Sequence, residues 1–109
     1  MEAELTVQIQ INYADIDSSD ALGLHVTETV EKALKLHVER VTRVEVHLHD
    51  DKLRRRGPAD KRCTMEARLA GEKPLAVEAR EGDIYKAVAE AAGKLARAVE
   101  HLVDRHQRH

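Results

Sequence analysis

Lys94, Arg97, His101 and Arg105 recur three and four residues apart, which on a helix sets them in one row along one side. Such a row suits phosphate oxygens, for which Lys supplies a point charge and Arg a bidentate fork. The bland reading is a solvated helix face: Glu90 shares the side, Glu100 and Asp104 lie nearby, and cations in a last turn are favoured by the helix dipole. Lys86, one turn from the start of the same helix, extends the row with a less certain angular position. On an earlier helix Lys32 and Lys35 add two cations, each four residues after an acid, Glu28 and Glu31. That spacing is also that of ordinary helix ion pairs, worth about 0.2 to 0.5 kcal/mol each. Arg54, Arg55 and Arg56 belong to the segment Lys52 to Arg62, which holds six cations against one acid, with Gly57-Pro58 setting a turn. A loop of this kind follows a phosphate backbone as readily as it serves as a soluble hairpin tip.

Other chemistries find less support. His47 and His49 point to one side of a strand and with Asp50 or Asp51 could approach a divalent ion, but two firm ligands fall short of the three or four a zinc site needs. No metal is therefore expected. Cys63, the single cysteine, sits in the inward set of a strand, where a thiol is a small buried hydrophobe, and it excludes an internal disulfide. The chain carries no Gly-rich phosphate loop, nucleophile elbow or HExxH helix, so neither catalytic residues nor a cofactor are expected.

The elements that must position the cations are legible from periodicity. Leu5, Val7, Ile9 and Ile11 alternate with polar residues through residue 12 and predict a half-buried strand. Ser18 or Ser19 offers an N-cap, and Leu22, Val26, Val30, Ala33 and Leu34 predict a helix to about His37. Val44, Val46 and Leu48 predict a second strand, parallel to the first because a helix intervenes. A charged loop from Asp50 to Asp60 follows. Cys63, Met65, Ala67 and Leu69 form a third strand, Gly71 a tight turn, and Leu75 with Val77 a short fourth strand. Gly82-Asp83 opens the last helix, whose apolar stripe is Ile84, Val88, Ala91, Leu95, Val99 and Leu102. Gly93 inside it marks either close helix packing or a weak spot worth about 1 kcal/mol. Tyr85, beside the first apolar residue, is assigned to closing the core with its hydroxyl in water. The expected fold is α+β in the order β-α-β-β-β-α: a four-stranded mixed sheet, polar on one face, with both helices on the other, as in a double-stranded-RNA-binding domain. Residues 1 to 109 make one domain.

Net charge is −2 but segregated: residues 1 to 50 hold four Lys or Arg against ten Asp or Glu, and residues 51 to 109 hold fourteen against ten, giving −6 and +4. A local basic surface can thus attract phosphates within an acidic chain. Aromatics are 2% of residues, without Phe or Trp, which disfavours a reader that stacks single-stranded bases on an open sheet. No apolar run approaches the ~20 residues of a membrane span, and the start Met1-Glu2-Ala3-Glu4 is unlike a leader. A soluble cytoplasmic protein is expected.

The run Asp83-Ile84-Tyr85-Lys86-Ala87-Val88, followed by Ala91 and then Lys94-Leu95-Ala96-Arg97, resembles the last helix of the bacterial ribosome hibernation-promoting factors and ribosome-associated inhibitors, the sigma modulation proteins. The order of elements agrees with that family over the rest of the chain. The resemblance implies a non-enzymatic factor that binds the small ribosomal subunit and its ribosomal RNA in the messenger and transfer RNA channel. It would repress translation in stationary phase or stress by steric exclusion, without a small-molecule substrate. It also implies RNA contacts for Lys94 and Arg97, and loosely for Lys32 and Lys35. Ending at His109, the chain is expected to be a short form without the extra dimerisation domain of long members. The competing reading from another class is a small protein-interaction module, possibly homodimeric through a sheet edge, that keeps the fold without ribosome binding.

Overall fold

The alternating segments become strands and the 3.6-residue stripes become helices. The computed structural model describes residues 7–51 and 59–107. Leu5 and Thr6 of the first expected strand, and Arg54, Arg55 and Arg56, lie outside that range. The elements are β1 (Gln8–Tyr13), α1 (Asp20–Ala33), a 3-10 turn (Lys35–His37), β2 (Val41–Asp50), β3 (Lys61–Leu69), β4 (Leu75–Glu81) and α2 (Ile84–Gln107). The sheet runs β1-β2-β3-β4. Across α1, β1 pairs with β2 in parallel, Gln8 opposite Arg43 and Tyr13 opposite Leu48. The β2–β3 and β3–β4 pairs are antiparallel, with His47 opposite Thr64 and Arg62 opposite Arg80. The expected α+β architecture, β-α-β-β-β-α, is the one observed.

Each helix starts where the chain supplies an acceptor for its orphan amides. The Ser19 hydroxyl accepts from the Leu22 amide at 3.1 Å, and the Asp83 carboxylate accepts from the Tyr85 amide at 2.7 Å. Gly71 has φ +76° in a turn closed by the Glu72 amide on the Leu69 carbonyl at 3.1 Å. A positive φ at that third position is the demand of a type II turn, which explains the glycine.

Two boundaries differ from the periodicity reading. The α-helix ends at Ala33 rather than His37, because Leu34 is fully buried and pins the chain to the core. Beyond it the bonds tighten, with the His37 amide on the Leu34 carbonyl and the Arg40 amide on the His37 carbonyl, both at 2.9 Å. This turns the chain back toward β2. The fourth strand runs on to Glu81, since buried Ala79 continues its inward set under α2 and Arg80 is held by an ion pair described below.

The core lies between the sheet and the two helices. Leu22, Val26 and Val30 of α1 and Leu34 just after it meet Val44, Val46 and Leu48 of β2 and Cys63, Met65 and Ala67 of β3, with Val88, Ala91, Leu95 and Val99 of α2 beside them. The buried residues of this cluster include no Tyr, and Tyr13 packs against it only partly buried, so most cohesion comes from aliphatic side chains, each worth about 1.5–3 kcal/mol when fully buried. Small residues at Ala87, Ala91 and Ala92 let α2 sit close to β3 and β4, while α1 lies against α2 and β1. The alternation of chain direction makes α1 and α2 parallel, their N-termini joined where His25 packs on Tyr85 with ring centroids 4.8 Å apart. Among the described residues no helix is long and apolar enough to cross a membrane.

Candidate nucleic-acid interface

The row on α2 runs along the side of the helix that faces the free edge of β4. Lys94 fixes this orientation, because its Nζ donates to the Glu78 carbonyl of β4 at 2.8 Å. β4 is an edge strand of the sheet, so this bond ties α2 to the strand at the sheet's margin. The same Nζ lies 3.9 Å from Glu90. Glu90 in turn hydrogen-bonds Glu81, and this contact, followed by the repulsion between the carboxylates, pushes the Glu81 pKa up. Lys94 is therefore partly occupied by the fold itself.

Arg97, His101 and Arg105 continue the row and are exposed, with no ion pair within 4 Å among the described residues. Lys86 is exposed in the first turn of α2 and lies near Glu81, whose acidity it strengthens. Lys32 and Lys35 are exposed as well, and the expected Glu28–Lys32 and Glu31–Lys35 pairs do not close within 4 Å. These two lysines line a groove with Glu100 and Asp104 of α2, a groove that none of the four row residues lines. The structure thus assembles Lys94, Arg97, His101 and Arg105 along one edge and keeps Lys32 and Lys35 apart from them. Tyr85 is 40% exposed and packs on His25 rather than over the core.

On the opposite face of the molecule the sheet carries charges that neutralise one another. Arg43 donates to Gln10 and lies 3.4 Å from Glu45; Arg68 lies 3.7 Å from Glu45 and 3.4 Å from Glu66. At the end of β2, Asp51 receives Arg62 Nε at 2.7 Å and Arg80 Nη1 at 2.8 Å. Its side chain is only 8% exposed. The hydrogen bond from Arg62, reinforced by Arg80, overcomes burial and holds its pKa down at about 2. Lys61 bridges Asp50 and Asp60, each at 3.3 Å. Two of the six cations in the basic segment are therefore committed to ion pairs that close the β2–β3 hairpin.

This carboxylate-centred cluster was not foreseen, although a trace of it stands in the sequence. Arg62 and Arg80 both occupy outward strand positions, and Asp51 directly follows β2, the strand that pairs with β3. What sequence periodicity omits is register, which sets Arg62 opposite Arg80. His47 and His49 do share a face, with ring centroids 6.5 Å apart. His49 Nδ1 lies 4.0 Å from Asp15, yet burial and then the Arg62 charge push its pKa down. Among the described residues no three His, Cys, Asp or Glu side chains converge as a metal site requires. Cys63 is fully buried, and burial pushes its thiol up to about 12.

Among the described residues the geometry offers a polar surface rather than a cluster of metal-ligating side chains. The family described as Sigma 54 modulation protein / S30EA ribosomal protein matches residues 9–107. No curated protein sequence matches the chain at a significant level. A ribosomal subunit interface protein from Coxiella burnetii superposes with a TM-score of 0.70 at 23% identity, over 90% of this chain and 99% of that one. The N-terminal domain of Thermus thermophilus Protein Y gives a TM-score of 0.67 at 18% identity, over 88% of this chain and 97% of that one. At such identities the two structures speak to the fold alone, whereas the family match spans nearly the whole chain. The chain belongs to the Sigma 54 modulation protein / S30EA ribosomal protein family.

Proposed function

We propose that this protein is a ribosome-associated, non-enzymatic factor that occupies the small subunit at the messenger and transfer RNA channel and represses translation when growth stops. The observation that carries the reading is membership, over residues 9–107, of a family named for a ribosomal protein. Exposed Arg97, His101 and Arg105, on one side of α2 without an acidic partner among the described residues, give it a physical means. Their guanidinium and imidazole groups can meet phosphates at little desolvation cost, since no internal pair has to be broken first.

The sheet face suits RNA less, because its arginines already hold Glu45, Glu66 and Asp51. Recognition in this reading comes from the shape of folded ribosomal RNA, and affinity from phosphate contacts. Repression follows from exclusion alone, since a domain seated in the channel bars messenger and transfer RNA without any bond being made or broken. The test is co-sedimentation of the protein with isolated small subunits, large subunits and whole ribosomes over a salt series. Saturable one-to-one binding to small subunits that weakens log-linearly with salt is the expected result. No binding at low salt would refute the reading and leave family membership as a statement about fold.

A further inference from the structure

Where the two parallel helices end, a groove of about 550 Å³ opens between the 3-10 turn and the second half of α2. Its floor is apolar, made by Ala33 of α1 and by Ala96 and Val103 of α2. One wall carries Lys32 and Lys35, and the other Glu100 and Asp104. At its rim Leu36 stands 86% exposed, the most exposed large hydrophobic side chain among the described residues. The turn that presents it is fixed: Leu34, two residues earlier, is fully buried, and the His37 amide is bonded to the Leu34 carbonyl.

We propose that this groove is the interface for a second copy of the same chain, each Leu36 seated on the Ala33, Ala96 and Val103 floor of its partner. The argument is self-complementarity. A two-fold interface brings one patch against itself, so the patch must contain the complement of each of its own features. Here it does so twice: an apolar knob beside an apolar hollow, and a basic wall facing an acidic one. Rotation about an axis through the groove sets Lys32 and Lys35 of one copy against Glu100 and Asp104 of the other. Within one copy these opposite charges line the same groove, yet no ion pair forms between the two walls within 4 Å among the described residues.

An RNA strand would meet Glu100 and Asp104 as readily as the lysines, and phosphate has no use for Leu36. The patch is small beside the ~800 Å² per partner of a standard interface, so the dimer is weak and concentration-dependent. Self-association covers Lys32 and Lys35, and only the monomer leaves them free for another ligand.

The experiment is sedimentation velocity of the full chain from micromolar to near-millimolar concentration, at low and high salt. The expected result is a shift from monomer to dimer with concentration, weakened by salt. Leu36→Asp should leave a monomer throughout. Lys32→Glu with Lys35→Glu should weaken the dimer at least about tenfold, because both walls become acidic. Adding Glu100→Lys and Asp104→Lys to that pair exchanges the two walls and should restore association. Thermal melts of each variant verify the fold, which these exposed positions do not hold together. A wild-type chain that stays monomeric at every concentration overturns the proposal. So does a dimer that survives Leu36→Asp, or one that the charge exchange fails to rescue, since the contact would then lie elsewhere, such as a sheet edge.

Discussion

Replacing Asp51 with Asn tests whether the cluster at the end of the sheet stabilises the fold as its geometry requires. The carboxylate accepts from Arg62 at 2.7 Å and Arg80 at 2.8 Å, and these arginines stand opposite each other across β3 and β4. The amide keeps the shape but removes the charge, leaving two facing guanidinium groups with Glu78 3.6 Å from each as their remaining ion-pair partner among the described residues. Lowering the Asp51 pKa from 3.8 to about 2 corresponds to about 2 kcal/mol at about 1.4 kcal/mol per tenfold. Part of this is screened by water at the sheet end, so a loss of about 1–2 kcal/mol at pH 7 is expected. The sign follows from linkage. Because the folded pKa is depressed, the contribution is present in full above the unfolded value near 4 and fades as pH falls through about 2. Urea unfolding of the wild-type and Asp51→Asn proteins should therefore diverge at neutral pH and converge toward pH 2. A gap that stays constant to pH 2, or no gap at pH 7, would refute the electrostatic account.

Three further outcomes are expected. Gly93→Ala should stabilise α2 by about 0.5–1 kcal/mol, because the new methyl would meet only Arg97 Nη1 at 3.5 Å, the free end of a flexible side chain; a lower melting temperature would contradict this. Cys63 should resist thiol reagents at neutral pH in the folded protein and react once urea unfolds it, since it is fully buried with a pKa near 12; rapid labelling of the native state would show the strand interior to be open. Lys94→Ala and Arg97→Ala should separate in their effects. Arg97→Ala should lower small-subunit affinity several-fold with stability changed by no more than about 0.5 kcal/mol, whereas Lys94→Ala should also cost about 0.5–1.5 kcal/mol through the lost bond to Glu78. Wild-type affinity in both variants would remove α2 from the interface, and equal melts would remove the Lys94–Glu78 bond from the account of stability.

Periodicity carried the fold because each strand and helix here has one wet face and one dry one. The inward set Cys63, Met65, Ala67 and Leu69 was readable from alternation, and all four are buried. The parallel β1–β2 pair followed from the helix between them, since a crossover is the economical way to join parallel strands. Ends were less legible. The stop at Ala33 depends on where Leu34 finds the core, and the extension of β4 to Glu81 depends on a partner, Asp51, that is far away in sequence. At the candidate site the helical spacing set Arg97, His101 and Arg105 on one side, but it gave no sign that Lys94 would reach across to β4 or that Gly93 would lie clear of any neighbouring helix. Those are facts of tertiary distance, and charge count alone treats a committed lysine and a free arginine alike.

Commitment of cations also bears on how strongly the proposed ribosomal interaction should answer to salt. Of the described Lys and Arg side chains, Arg43, Lys61, Arg62, Arg68, Arg80 and Lys94 each have a carboxylate within 4 Å. On the α2 edge that leaves Arg97 and Arg105 as the permanent charges without an ion pair among the described residues. Each phosphate neutralised contributes a slope of roughly −0.7 to −0.9 to log affinity against log salt. An interface built from this edge alone should then show a slope of about −2. A slope near −6 would require cations from beyond this edge, for which Arg54, Arg55 and Arg56 are the concentrated source. The slope measured on the wild-type chain, and again with those three arginines changed to alanine, therefore counts the phosphates reached from α2 separately from those reached by the β2–β3 connection.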